Sequence, residues 1–185
     1  FGYKKIGLMI TICIAVMHMQ GCQTTTSDTI VKKDPEKAAK VRTQLAAEYI
    51  RTGDLDAAKR ALDQALEAEP RDATANMMMG VLLQQEGSRD NMEKADAYFK
   101  RAISINPKDA QARNNYGTYL YQMARYNEAI EQLSIAGTTL GYEQRYRALE
   151  NLGRIYLKVG DITNAEKTFK QALTVNRDSV VSMLE

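Results

Sequence analysis

The histidine and cysteine side chains of this sequence, His18, Cys13 and Cys22, can serve as nucleophiles or metal ligands, and all three lie in its first 22 residues. Beyond Gly21 the chain has no histidine and one cysteine. That composition excludes from the rest of the chain a Cys–His nucleophile pair, a Ser–His–Asp triad and a zinc site of Cys and His. A site built from carboxylates alone stays open, but no acidic cluster stands out. We therefore predict a protein that is not an enzyme, with no catalytic residue, metal, cofactor or small-molecule substrate.

The segment that carries these residues reads FGYKKIGLMITICIAVMHMQGC. Two lysines, Lys4 and Lys5, precede an apolar stretch over residues 6–17, and a small residue, Gly21, then precedes Cys22. A positive start, a short apolar middle and a small-residue cleavage site are typical of a secretory signal peptide. The apolar stretch is shorter than the roughly 20 residues that a membrane-spanning helix needs. We predict a signal peptide over 1–21, and expect the native start to lie before Phe1 or to have been altered.

Residues 19–22, Met-Gln-Gly-Cys, resemble the lipobox, the processing site of bacterial lipoproteins. The resemblance implies cleavage between Gly21 and Cys22 and acylation of Cys22, palmitate included, as the new N-terminus. Because Gln23 follows instead of aspartate, it also implies delivery to the outer membrane, with the protein lipid-anchored and facing the periplasm. Met19 stands where the lipobox usually has leucine. The alternatives are an ordinary signal peptide or an anchor helix with an incidental cysteine.

Residues 22–33 comprise Cys22, which the lipobox resemblance implies is lipidated, and a Thr-rich stretch without apolar periodicity, which predicts a flexible tether. Asp34-Pro35-Glu36 then supplies a capping acid, a proline for the first helical position and a second acid, which together predict a helix start. The formal net charge of +2 comes from the two leader lysines, so the rest of the chain is neutral. Neutrality argues against nucleic acid as a partner.

Two patterns recur along the remainder of the chain. The first has the form apolar, small, two variable residues, apolar, and its small positions are 34, 37 and 36 residues apart. The second places Ala, a large apolar residue four positions later and Ala three positions after that. The first pattern occurs as LAAEY, MGVLL, YGTYL and LGRIY, and the second as AKRALDQA, ADAYFKRA, AIEQLSIA and AEKTFKQA.

A period near 34 residues with two helical patterns per unit identifies tetratricopeptide repeats. The sequence therefore predicts an all-α solenoid, a right-handed superhelix of antiparallel helix pairs, over residues 34–185. The small residues let the two helices of a repeat approach closely, and the large apolar residues fill the space between them. SVVSMLE begins a fifth first helix from residue 180, so we expect the protein to continue. The four complete repeats are 39–72, 73–109, 110–145 and 146–179.

Solenoids of this kind bind partners and rarely catalyse reactions. Resemblance to the repeat family implies that the first helix of each repeat lines a concave groove for a peptide or a helix. The implied lining is mixed and mostly uncharged, with Met and Tyr that suit apolar side chains. For Met78 and Met79 we favour core filling. The candidate partner-binding residues are Met77, Val81, Gln84, Asn114, Thr118, Tyr121, Glu150 and Arg154.

Residues 114–130 and 147–166 resemble the PilF/PilW pilotin family of type IV pilus biogenesis lipoproteins, as does the spacing from lipobox to first repeat. The resemblance implies an outer-membrane lipoprotein that binds the pilus secretin and promotes its localisation and multimerisation. A generic periplasm-facing lipoprotein adaptor, for instance one that scaffolds cell-wall enzymes, would use the same fold and anchor. A periplasmic hydrolase with accessory repeats is a third hypothesis, disfavoured by the missing nucleophile constellation.

Overall fold

The structure is a computed structural model, and it describes residues 34–176. The predicted signal peptide, the cleavage site at Gly21 and Cys22, the tether and the start of a fifth repeat lie outside the described residues. Within 34–176 all regular structure is α-helical, which confirms the predicted all-α solenoid of helix pairs. The helices are α1 (Pro35–Thr52), α2 (Leu55–Ala68), α3 (Ala73–Glu86), α4 (Arg89–Ile105), α5 (Ala110–Gln122), α6 (Tyr126–Thr138), α7 (Arg145–Lys158) and α8 (Ile162–Val175).

Most helices begin at an acidic cap that the sequence supplies. The Asp34 carboxylate accepts a hydrogen bond from the backbone N–H of Lys37, which confirms the predicted start of α1 at Pro35. Asp72 and Asp109 cap α3 and α5 in the same way, each with a 3.0 Å bond. The α1–α2 turn contains Gly53 at φ +83°, a conformation that glycine adopts without strain.

In the second, third and fourth repeats, the small residue of the first helix lies directly against the large residue of the second. A Cβ added to Gly117 would lie 2.5 Å from Cγ of Leu133, and one added to Gly153 would lie 2.7 Å from the ring of Phe169. Gly80 meets Phe99 in the same way, at 3.0 Å. The predicted pairing of the two sequence patterns is therefore confirmed. It brings α3 against α4, α5 against α6 and α7 against α8.

An aromatic cluster joins the second and third repeats. The rings of Phe99, Tyr116 and Tyr119 have centroids 5.5–6.0 Å apart, and all three side chains are buried. The hydroxyl of Tyr119 donates to the carbonyl oxygen of Met92 at 2.7 Å, which satisfies a polar atom inside the core. Adjacent repeats are thus held together by side chains from both sides.

The first helices of successive repeats contact each other, from α1 to α3, α3 to α5 and α5 to α7. Within 34–176 the second helices make no comparable contacts with one another. Helices that touch lie on the inner side of a bend and helices that splay apart lie on its outer side. The first helices therefore form the concave face of this stack. None of the described helices is both long enough and apolar enough to cross a membrane.

Candidate partner-binding groove

The inner face is formed by the side chains of α1, α3, α5 and α7 that point away from the second helices. It is the surface on which the sequence predicts a partner. Because each first helix packs on its own second helix and on one or two neighbouring first helices, only a narrow strip of each remains accessible. The exposure of each predicted residue therefore decides how much of it a partner can reach.

The structure divides the eight predicted residues into three groups. Met77, Asn114 and Glu150 are buried, with 2%, 9% and 7% of their surface exposed, so little of each is available to a partner. Val81, Gln84, Thr118 and Tyr121 are half-buried on the inner face, and Arg154 is exposed. A binding role for these eight residues stays a prediction.

The two other methionines of α3 were expected to fill the core. Met79 is buried and Met78 is half-buried, as expected for core filling.

Side-chain amides link the first helices across repeat boundaries. Nε2 of Gln84 on α3 donates to Oε1 of Gln122 on α5 at 2.8 Å. Nδ2 of Asn151 on α7 donates to Oγ1 of Thr118 on α5 at 3.3 Å, with Oδ1 of Asn114 at 3.5 Å. Each bonded amide keeps further donor and acceptor positions, because a carboxamide has two N–H groups and two lone pairs. The inner face of α3, α5 and α7 is therefore polar, uncharged near α5 and able to form more hydrogen bonds.

A cavity of about 360 Å³ lies between α3 and α5. Three of its lining residues were predicted from the sequence and three were missed. The missed residues each follow a predicted position directly; the doublets Gln84-Gln85 and Asn114-Asn115 are a sequence signal for two of them, and Gln122 has no such signal. The lining consists of Val81, Gln84, Gln85, Asn115, Thr118 and Gln122, none of which is charged.

A second cavity of about 460 Å³ lies where α1 meets the α2–α3 turn. Its lining mixes both signs of charge, which distinguishes it from the cavity between α3 and α5. One of its carboxylates, Asp72, is already used to cap α3. The lining residues are Glu36, Lys40, Thr43, Gln44, Glu69, Arg71, Asp72 and Thr74.

The most strongly coupled charges connect α4, α5 and α6. Nη1 of Arg125 lies 2.6 Å from Oδ1 of Asp96, which also accepts from the Tyr116 hydroxyl at 3.0 Å, and Nζ of Lys100 lies 2.7 Å from Oδ2. Burial acts to raise the pKa of Asp96, but the three hydrogen bonds outweigh it and hold that pKa below its ordinary value. Burial and the Asp96 carboxylate raise the pKa of Tyr116. The cluster holds the second and third repeats together.

No set of three or more metal-ligating side chains comes together within 34–176. The perturbed pKa values of Asp96, Tyr116 and Arg125 belong to a cluster that links helices. What the inner face presents is hydrogen-bonding capacity, charge and shape. Those properties suit the binding of another chain.

Comparison with known proteins agrees with this geometry. Models of the tetratricopeptide repeat match residues 39–82, 73–109, 98–131 and 146–179. The type IV pilus assembly protein PilF of Pseudomonas aeruginosa is 31% identical over 178 residues, which is 94% of this chain and 69% of PilF.

Two solved structures are similar over most of the described residues. The structure of Pseudomonas aeruginosa PilF has a TM-score of 0.75 at 32% identity, covering 80% of this chain and 66% of that one. The crystal structure of PilW, a widely conserved type IV pilus biogenesis factor, has a TM-score of 0.68 at 31% identity, covering 74% and 61%. The chain thus spans about two thirds of the length of these relatives. It belongs to the family of tetratricopeptide-repeat proteins of type IV pilus biogenesis that includes PilF and PilW.

Proposed function

We propose that this protein is a pilotin, an outer-membrane lipoprotein that binds the type IV pilus secretin and promotes its delivery to that membrane and its multimerisation. The observation that carries the proposal is the 31% identity to the pilus assembly protein PilF across 94% of the chain. The identity extends over the N-terminal region as well as the repeats, because the repeats alone occupy a smaller share of the sequence.

Each part of the chain has a separate task in this proposal. Cleavage after Gly21 leaves Cys22 as the acylated first residue, and several acyl chains on one residue anchor a protein more stably than one chain does. The Thr-rich stretch over 23–33 keeps the repeats away from the bilayer. The inner face of the solenoid holds a segment of the secretin until the subunits assemble.

The protein makes and breaks no covalent bond in this role. The absence of histidine beyond residue 18 supports a binding function, as does a groove lined by amides and hydroxyls. Energy for secretin assembly comes from the partner's own burial in the membrane. The solenoid contributes by holding an assembly-competent subunit at the right place.

A gene deletion tests the proposal directly. Envelopes from the deletion strain are run on a denaturing gel that preserves secretin multimers, and we expect the multimer band to be lost while secretin monomer remains. The intact gene supplied in trans restores the band. Undiminished multimers in the deletion strain would contradict the pilotin role and favour an adaptor for other envelope proteins.

A second arm of the same experiment separates the anchor from the groove. Cys22→Ser removes the acylated sulfur and leaves residues 34–176 unchanged. We expect that variant to move out of the outer-membrane fraction on a density gradient and to restore few multimers. If the Cys22→Ser variant still fractionated entirely with the outer membrane, the proposal that Cys22 carries the lipid anchor would be refuted.

A further inference from the structure

Helix α7 differs in charge from the two first helices that precede it, α3 and α5. It carries four basic residues, and its single acid, Glu150, is buried. In contrast, α5 has one basic residue and no acid, and α3 has a single charged residue, Glu86, whose carboxylate accepts a hydrogen bond from Asn91. The inner face of α3, α5 and α7 therefore holds its excess positive charge on one helix.

Three of these basic residues, Arg147, Arg154 and Lys158, form a stripe on the groove side of α7. They lie four residues before, three after and seven after Asn151, whose side chain reaches Thr118 on α5. With about 100° per residue, these offsets place all three within about 60° of the direction of Asn151. All three are exposed, so the basic stripe borders the uncharged amides of α5.

The stripe carries more positive charge than the one acid of α7, Glu150, can offset, because the helix has four basic residues. Neither Arg154 nor Lys158 forms a salt bridge with any residue of the part described by the structure, 34–176. Arg147 donates from Nε to the hydroxyl oxygen of Tyr146 at 3.1 Å, lies over that ring and is also attracted by the Glu150 carboxylate. Most of the available charge of the stripe therefore lies on Arg154 and Lys158. Uncompensated like charges on one side of a groove favour a ligand of opposite sign.

The neighbouring cavity restricts the form of that ligand. Amide side chains that both donate and accept match the free N–H and C=O groups of an extended backbone, whereas a helix has used most of its own. A concave channel of about 360 Å³ suits one strand of chain better than a flat bilayer surface. The neutrality of the chain beyond its leader argues against nucleic acid.

We infer that the inner face of α3, α5 and α7 binds an extended, acidic peptide segment. Its backbone lies along the amides of Gln84, Gln122 and Asn115, and its carboxylates pair with the basic stripe of Arg147, Arg154 and Lys158. The inference rests on the proposed function only in assigning this segment to the secretin; the chemistry of the segment follows from the groove.

A peptide array tests this assignment. The full chain is applied to overlapping peptides, blocked at both ends, that cover the secretin of the same organism, and the same peptides with every Glu and Asp changed to Gln and Asn serve as a paired set. We expect the bound peptides to be acidic and to lose binding in the amide form. Their affinity also falls as the salt concentration rises.

The decisive variant is Arg154→Glu combined with Lys158→Glu. Its matched control, Arg60→Glu with Lys167→Glu, makes the same change in net charge at exposed positions on α2 and α8, away from the inner face. Each reversal removes an attraction to a peptide carboxylate and adds a repulsion. Reversing two charges should therefore weaken peptide binding about tenfold or more, while the control changes it about twofold or less. Unchanged circular dichroism shows that both variants are folded.

Three results would overturn the inference: bound peptides without acidic enrichment, equal effects of the two double variants, or no binding to any peptide. A lipid contact is tested by flotation of the Cys22→Ser chain with phosphatidylglycerol vesicles. If Arg154→Glu with Lys158→Glu reduced flotation and the control did not, the stripe would be a lipid contact and the inference would also be overturned. Secretin multimers in cells are a separate readout. If secretin multimers in cells depend on the protein but no peptide of the array binds as expected, the pilotin role stands and the acidic-segment assignment is refuted.

Discussion

Gly117 is the residue whose replacement most directly tests how the repeats pack. A Cβ at this position would lie 2.5 Å from Cγ of Leu133, 2.9 Å from Cδ2 and 3.3 Å from Cδ1. Non-bonded carbons are in favourable contact at about 3.5–4.0 Å. Leu133 has no exposed surface, so it cannot rotate into solvent to make room. We therefore expect Gly117→Ala to force α5 and α6 apart.

Two effects of opposite sign set the magnitude for Gly117→Ala. In an exposed helix the change stabilises by about 0.5–1 kcal/mol, because alanine loses less backbone entropy than glycine on folding. Overpacking a buried site costs about 1–3 kcal/mol. The net expectation is a loss of about 0.5–2 kcal/mol in the free energy of unfolding. With a urea m-value of about 2 kcal/mol/M, the unfolding midpoint falls by about 0.3–1 M.

The assay is urea unfolding followed by circular dichroism, on Gly117→Ala, Leu133→Ala and the combination. Leu133→Ala removes the three carbons that an alanine at 117 would meet, at a cost of about 2–5 kcal/mol for the cavity. In the combination the new methyl group occupies part of that cavity, so the double variant should be more stable than the sum of the single changes by about 0.5–3 kcal/mol. A Gly117→Ala chain as stable as the parent, or additive effects in the double variant, would refute the close-packing argument.

Three further predictions concern the core, the charge cluster and the anchor. Tyr119→Phe removes the hydrogen bond to Met92 and should cost about 0.5–1.5 kcal/mol in urea unfolding; no change would show that the bond contributes nothing. The pKa of Asp96 is lowered in the folded chain, so its ionised carboxylate stabilises the fold at pH values above the ordinary Asp pKa of about 4. That stabilisation is lost as the pH falls through the pKa of Asp96 in the folded chain. Asp96→Asn should therefore lower stability at pH 7 and flatten the decline in acid, and a parallel decline would contradict the coupling. Cys22→Ser should abolish incorporation of labelled palmitate, and continued labelling would refute the hypothesis that Cys22 is lipidated.

Much of the fold could be predicted because it depends on local rules repeated four times. Spacing gave the pairing of Gly117 with Leu133, and an acid before a proline gave the start of α1. The cluster of Asp96 and Arg125 could not be predicted, because its members are 29 residues apart and meet only through the offset between repeats. Asp96 occupies a variable position of the second pattern, and Arg125 lies outside both patterns.

Three of the six residues that line the cavity between α3 and α5 were predicted, and the other three each follow a predicted residue, for a physical reason. A repeat register gives the direction in which a helical residue points, but the tilt of each helix against its neighbours decides which of two adjacent residues stays accessible. Asn114 is buried by this tilt while the next residue, Asn115, lines the cavity. Asn151 was missed for the same reason: its bond to Thr118 depends on where α7 lies against α5.

The position of α7 depends in turn on an irregular connection. Six residues, 139–144, separate α6 from α7, whereas four separate α2 from α3 and α4 from α5. At the end of α6, a Cβ on Gly137 would lie 2.7 Å from Cδ2 of Leu149, so the glycine lets α7 approach α6 closely. Leu149 and Asn151 are two residues apart, which places them on nearly opposite sides of the helix. Packing Leu149 against Gly137 therefore turns Asn151 toward the inner face, and the basic stripe turns with it. The departure from the regular repeat thus places the basic stripe beside the groove.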